Sequence, residues 1–182
     1  MMRKSRSILT CAAVLVVFVA CALSASAAKI VVEAENCNSI TPSMAKASSN
    51  VASGGAYIHI PLLRPHGDTE GKPSDTGNAV YKVKVAQAGT YIFWGRAQWY
   101  DGCGNSFFLK IDDKPAVVFG NGGLYRQWHW VPGIKIALSA GVHTIRIQNR
   151  EDGAKLDQFL LDTNTRRIPV GLETPTPGAI VR

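Results

Sequence analysis

The stretch AVYKVKVAQAGTYIFWGRAQ, Ala79–Gln98, decides the fold class. Tyr81, Val83 and Val85 alternate with Lys82 and Lys84, the period-two pattern of a strand with one buried and one wet face. Ala88-Gly89 turns the chain. Thr90–Trp99 then carries apolar residues on both faces, Tyr91, Phe93 and Trp99 against Ile92 and Trp94. A strand that is apolar on both faces belongs in the middle of a sheet.

Working outward, the same grammar repeats. Downstream, Phe107, Leu109 and Ile111 alternate, Asp112-Asp113-Lys114-Pro115 is a turn, and Ala116–Phe119 is a short strand. Tyr125–Val131 is dense in aromatics, and Ile134, Ile136 and Leu138 lead into a second Ala-Gly turn at Ala140-Gly141. Val142–Gln148 and Leu156–Asp162 close the series. Upstream, Ala56–Pro61 and the opening Lys29–Cys37 read as strands, Asn38–Ser53 as loop, and Leu62–Asn78, with its prolines and glycines, as a long exposed loop. The tail 164–182 shows no packing pattern and is expected to lie on the surface or be disordered. No stretch of ten residues after residue 28 has helical periodicity. The sum is an all-β chain, an antiparallel β-sandwich or barrel.

The first 27 residues read as a signal peptide. Arg3, Lys4 and Arg6 precede the apolar run Ile8–Leu23, and Ala25-Ser26-Ala27 fits a cleavage site. An exported location follows: secreted, periplasmic or at the cell surface. Lipid attachment at Cys21 is a minor alternative. Three of the 20 basic residues lie in this segment, so the rest holds 17 against 13 acidic ones, a net of +4 rather than +7. These charges are scattered, and no basic run is interleaved with aromatics, so nucleic acid is not an expected partner. Cys11 and Cys21 leave with the signal. Cys37 and Cys103 remain, and in an oxidising compartment they are candidates for a disulfide.

KIVVEAENC, Lys29–Cys37, poses an electrostatic question. If it is all strand, Glu33 and Glu35 share one face, where like charges repel unless solvent or a cation separates them. A solvated edge is one reading. Asp157, on the last strand, supplies another, because sandwiches commonly bring first and last strands together. Three carboxylates with carbonyls from the Asn50–Ser53 region would suit the oxygen-rich demand of calcium.

The ordered set VEAEN, ASGGAYI, AVYKVKVAQAGTYIFWGRAQ, the Gly122–Trp128 run, LSAGVHTIRI and KLDQFLLD resembles carbohydrate-binding modules of families 6 and 35, over Ile30–Asp162. The resemblance implies a galactose-binding-like jelly roll over residues 29–163, with two sheets of four or five strands. It implies a structural Ca2+ on Glu33, Glu35 and Asp157, and binding of a polysaccharide or glycan without catalysis. It also implies a loop-end cleft in which Tyr57 and Tyr125, with Trp128, grip the sugar. A pyranose offers an apolar C–H face to a ring while its hydroxyls need polar partners at the rim. Core packing is the competing role for each aromatic, above all Trp94 and Trp128. Trp99 and Tyr100 are a second candidate platform. Lys155 stands where the family often has Asn. Lysine donates but cannot accept, so either the ligand differs, an acidic one being an example, or this cleft is abandoned.

Nothing is arranged as an active site. Side chains at i and i+2 of a strand project in parallel and cannot flank a glycosidic bond. His59, His66, His129 and His143 show no metal spacing, although His129 could bond a sugar. The sequence thus points to a non-catalytic sugar binder. A structural or adhesion protein that uses the same sandwich for contacts with a cell-surface protein is the alternative.

Overall fold

The computed structural model describes residues 27–62 and 77–182. The apolar leader, with Cys11 and Cys21, and most of the Leu62–Asn78 loop, with His66, lie outside the described residues. Eleven strands follow in order. They are β1 Lys29–Glu33, β2 Ser39–Ile40, β3 Ala45–Ser48, β4 Ala56–His59, β5 Asn78–Val85 and β6 Gly89–Gln98. Then come β7 Ser106–Ile111, β8 Val117–Gly120, β9 His129–Leu138, β10 Gly141–Gln148 and β11 Lys155–Asp162. They form a six-stranded sheet, β3-β4-β11-β6-β9 with β1 also on β11, and a five-stranded sheet, β2-β5-β10-β7-β8. All strand pairs are antiparallel. The all-β sandwich expected from the alternation is the fold observed.

The core lies between the sheets and is set by the strand period. Tyr91, Phe93 and Ala97 of β6, with Trp99 just past its end, point inward, and Tyr81, Val83 and Val85 of β5 meet them from the other sheet. Aromatic rings lock the layers together. Tyr81 packs edge-on to Phe159 at 4.9 Å, Phe93 edge-on to Phe119 at 5.2 Å, and Phe93 stacks on Phe159 at 5.5 Å. Such edge and offset geometries are the favoured ones for rings. The buried Tyr81 hydroxyl donates to the Ala34 carbonyl at 2.6 Å, so its burial leaves no orphan donor. As expected from its two apolar faces, β6 is internal, between β11 and β9. Its outward residues Ile92 and Trp94 form a smaller cluster with Val31 and Leu160, and Trp130 packs against it.

First and last strands are neighbours: β1 runs beside β11 with Glu33 opposite Gln158. Three expectations need correction. β1 ends at Glu33, and Ala34–Asn36 is a 3-10 turn, so Glu35 is not on the strand and does not share its face by pleat. Asn38–Ser53 is not all loop, because β2 and β3 lie in it as edge strands. These strands are short and polar, which hides them from periodicity. Cys37 and Cys103 are both free thiols, one buried and one exposed. Cys37 is packed into the core beside Lys46, whereas Cys103 sits on a turn held by the Asp101 carboxylate, so each thiol serves a different loop.

The tail is surface-laid but ordered. Glu173 is buried, and its backbone N–H donates to the Gln158 side chain at 3.1 Å, while Gln158 returns a bond to the Glu173 carbonyl at 2.8 Å. Lys29 and Arg167 both pair with the Glu173 carboxylate, which holds it below the usual carboxylate range even though burial opposes the shift. Farther on, the Thr176 N–H donates to Val31 of β1, and Ile180 bridges to Val83 of β5. One segment therefore ties an edge of each sheet. Polar pairs and caps hold it, not an alternating apolar face, so the pattern used to find strands is silent there.

Candidate functional site

β4, β11 and β6 lie side by side, and their outward residues make one surface at one end of the six-stranded sheet. On β4, Ile58 points into the core, leaving Tyr57 and His59 outward. Lys155 is opposite His59 on one side and Gln98 on the other. Its ammonium donates to the Gln98 amide oxygen at 2.9 Å and lies 5.5 Å over the Tyr57 ring. Tyr57 meets Trp128 edge-on at 5.6 Å and His59 at 5.5 Å. The Arg96 guanidinium lies 5.2 Å over Trp128. Beyond Lys155 a cleft of about 290 Å³ is lined by Gln98, Trp99, Tyr100, Arg126, Gly153 and Lys155. There Arg126 lies 5.1 Å over the Tyr100 ring.

The structure thus brings Tyr57, Trp128 and Lys155 together. Trp128 is half-buried rather than core, with one face taken by Arg96. Tyr125 is 38% exposed, and it pairs through the backbone with Trp99. A Cβ on Gly102 would lie 3.5 Å from its hydroxyl, which places it on the glycine-rich-loop side of the cleft. Trp99 is a correction. It is fully buried, against Phe107 and Phe119, and forms the floor of the cleft rather than a platform. The inward parity of β6, which also buries Tyr91 and Phe93, is the reason. Arg96, Gln98, His59 and Arg126 were missed. Arg96 and Gln98 share the outward parity of Trp94 on β6, a signal present in GRAQ but carried by no aromatic ring. Burial first, then the neighbouring Lys155, hold His59 below the ordinary histidine pKa. It stays a neutral ring that donates through one nitrogen and accepts through the other.

Beside this surface lies the acid cluster. A β-bulge at Leu156/Gln158 makes Asp157 the extra residue of β11, and bulges commonly re-aim side chains at sites. Asp157 is fully buried, and Arg96 pairs with its Oδ2. Glu33 Oε1 accepts from the Ser53 hydroxyl at 2.6 Å and from Gln158 at 3.2 Å. Gly54 adopts φ +62, and a Cβ there would meet Glu35 Oε1 at 2.5 Å, so only glycine lets the Glu35 carboxylate fold in against Glu33. The pKa values record the crowding. Burial, then the Glu33 and Asp157 charges, push Glu35 up to about 7. Burial and Glu33 push Asp157 up to about 6 against the pull of Arg96. One oxygen of each acid, Glu33 Oε2, Glu35 Oε2 and Asp157 Oδ1, is buried without a hydrogen-bond partner. Among the described residues no group of three or more acidic, histidine or cysteine side chains is disposed to hold a metal ion. The three unpartnered oxygens are all carboxylate, the donor type that hard cations take.

No family model matches the chain. A curated relative, an uncharacterized protein of Formosa agariphila, is 25% identical over 116 residues, covering 54% of this chain and 28% of its own length. The chain therefore spans under a third of that relative. Solved structures with the same fold include a family 35 carbohydrate-binding module from Clostridium thermocellum. It has a TM-score of 0.52 at 22% identity, over 72% of this chain and 96% of that one. The C-terminal family 6 module of a laminarinase from Zobellia galactanivorans has a TM-score of 0.52 at 16% identity, over 74% and 98%. An exo-β-1,3-galactanase from Phanerochaete chrysosporium has a TM-score of 0.54 at 19% identity, over 74% of this chain but only 29% of the enzyme. Whole modules are matched nearly end to end, and the enzyme only in part.

Proposed function

From the sandwich it shares with family 6 and family 35 carbohydrate-binding modules, we propose that the chain is an exported, non-catalytic carbohydrate-binding module. The observation that carries this reading is the Tyr57–Trp128 ring pair, half exposed and ringed by Lys155, Gln98 and His59. Two rings offer a pyranose an apolar floor. The Gln98 amide and the neutral His59 offer donors and acceptors to its hydroxyls, and Lys155 offers donors alone. The cleft over Trp99, with Tyr100, Arg126 and Tyr125 around it, extends the surface for a second sugar unit. Burying both rings against a saccharide without ordering a loop keeps the entropic cost of binding low.

Calcium on Glu33, Glu35 and Asp157 is part of the same proposal. Its support is the three orphaned oxygens. The ion would offset the burial and mutual repulsion that push the Glu35 and Asp157 carboxyls up. These residues join β1, its following turn and β11, so the ion's role is to hold the fold together. A polysaccharide array or affinity gel tests the sugar reading. Retention of the wild-type chain, lost in Trp128→Ala, is expected. A wild-type chain retained on no polysaccharide contradicts it. The alternative, a structural or adhesion protein contacting a cell-surface partner, is favoured by one observation. Ile168, Val170 and Leu172 of the tail stand 72%, 78% and 57% exposed.

A further inference from the structure

We propose that the outward face of the five-stranded sheet is a docking surface for an anionic lipid bilayer. It lies on the sheet opposite the ring pair, and the proposal does not rest on sugar binding. Strand register builds this face from charges that are scattered in the sequence. Tyr81, Val83 and Val85 of β5, Leu109 and Ile111 of β7, and Ile145 and Ile147 of β10 point into the core. By alternation Lys82, Lys84, Lys110 and Arg146 point outward. Arg146 is directly opposite Lys110 on one side and Val80 on the other, which sets Lys82 diagonal to it. Lys84 is the next outward residue along β5. Residues directly opposite lie about 5 Å apart at Cβ and diagonal ones about 7–8 Å, so these cations form one patch.

None of Lys82, Lys84, Lys110 or Arg146 is paired with a carboxylate among the described residues. No Asp or Glu occurs in any strand of this sheet. At the borders Asp112 pairs with His143 and Glu151 with Arg150, while Asp113 lies in the turn beyond β7. Like charges held directly opposite destabilise a sheet, and a surface that serves only solubility mixes both signs. An anionic partner offsets that repulsion, and the face itself selects its kind. The one outward ring on these strands, Phe108, is buried beneath Arg150, so neither a sugar nor a base finds a ring to stack on. A plane of headgroup phosphates needs only charge. Val142 and Val118, 55% and 46% exposed, add aliphatic contact on the same face. The residues that follow the apolar run Ile8–Leu23 also join the fold beside it: Ala28 lines a cleft of about 380 Å³ together with Lys84. A chain docked on this face turns Tyr57 and Trp128 away from the bilayer.

Sedimentation of the chain, as recovered from cells that export it, with two kinds of vesicle reads the docking. One is phosphatidylcholine alone, and the other contains an equal part of phosphatidylglycerol. The ratio of the two partition coefficients is the measure, because any apolar contribution of the leader enters both alike. Each cation at an anionic surface is worth about fivefold in partition (1 kcal/mol), so the wild-type ratio should exceed about a hundred at low salt. It should collapse toward one at about 1 M salt, where the Debye length is about 3 Å. Lys82→Gln with Lys84→Gln should lower the ratio about 25-fold. Lys110→Glu, which sets an acid across from Arg146, should lower it at least as far. These side chains have no partner to lose, so melting should not fall in either variant, and retention on polysaccharide should survive in both. Trp128→Ala should keep the vesicle ratio; a ratio lost there puts the lipid contact on the other sheet and overturns the proposal. A wild-type ratio near one overturns it, as does a ratio unchanged in both folded variants. Retention on heparin or DNA resin without preference for the anionic vesicles also overturns it and assigns the patch to a polyanionic chain.

Discussion

Trp99 and Trp128 show how little a residue's type says of its role. They are 29 positions apart and both line the same end of the sandwich, yet one is a buried floor and the other a half-open ring under Arg96. Trp128→Ala should therefore weaken glycan binding about tenfold or more, with melting nearly unchanged. Phe159→Ala, which empties the centre of the aromatic core, should instead cost about 3–5 kcal/mol in chemical denaturation. His143 carries a second expectation at this scale. Its Nδ1 meets the Asp112 carboxylate at 2.7 Å and its Nε2 the Ser139 carbonyl at 3.0 Å, so both nitrogens face acceptors, which favours the protonated ring. Burial opposes the charge, but these partners win and raise its pKa. A raised histidine pKa stabilises the fold fully below about 6.5, and that contribution is lost as pH rises through the folded value. In saturating calcium, melting of the wild type should decline over that interval, and His143→Gln should flatten the decline.

Among the elements, β1, its 3-10 turn and the β11 bulge set the most informative balance. Glu35 and Asp157 have raised pKa values, so the metal-free fold binds more protons than the unfolded chain between about pH 4 and 7. Its stability must fall as pH rises through that window. In chelator, melting should drop from pH 4 to pH 7; at a hundredfold excess of calcium over its Kd the protein should regain about 2.7 kcal/mol at pH 7. Equal melting curves with and without calcium would remove the ion. The alternation in Ala79–Gln98 made β5 and β6 legible from sequence, central position included. The bulge and the 3-10 turn were not, because neither has a period, and they are what set Asp157 and Glu35 near enough to feel each other's charge. The site was legible only in part for a similar reason. Rings advertise themselves in a sequence, whereas Arg96 and Gln98 gain meaning only once β6 lies beside β11.

The whole molecule is a sandwich closed by its own tail, which bonds β1 in one sheet and β5 in the other. Glu173→Ala removes the acceptor shared by Lys29 and Arg167 and should lower stability by about 1–3 kcal/mol, with sugar binding unchanged, since Glu173 bonds Gln158, Lys29 and Arg167 and neither binding ring. At this scale the central claim is that the Tyr57–Trp128 surface is where a glycan rests. Amide and indole NMR spectra recorded during titration with a polysaccharide fragment that the chain retains test it most directly. Signals of Trp128, Tyr57 and Lys155 should shift together while the Trp94 indole stays still. Shifts confined to the tail, or absent from Trp128, would contradict it.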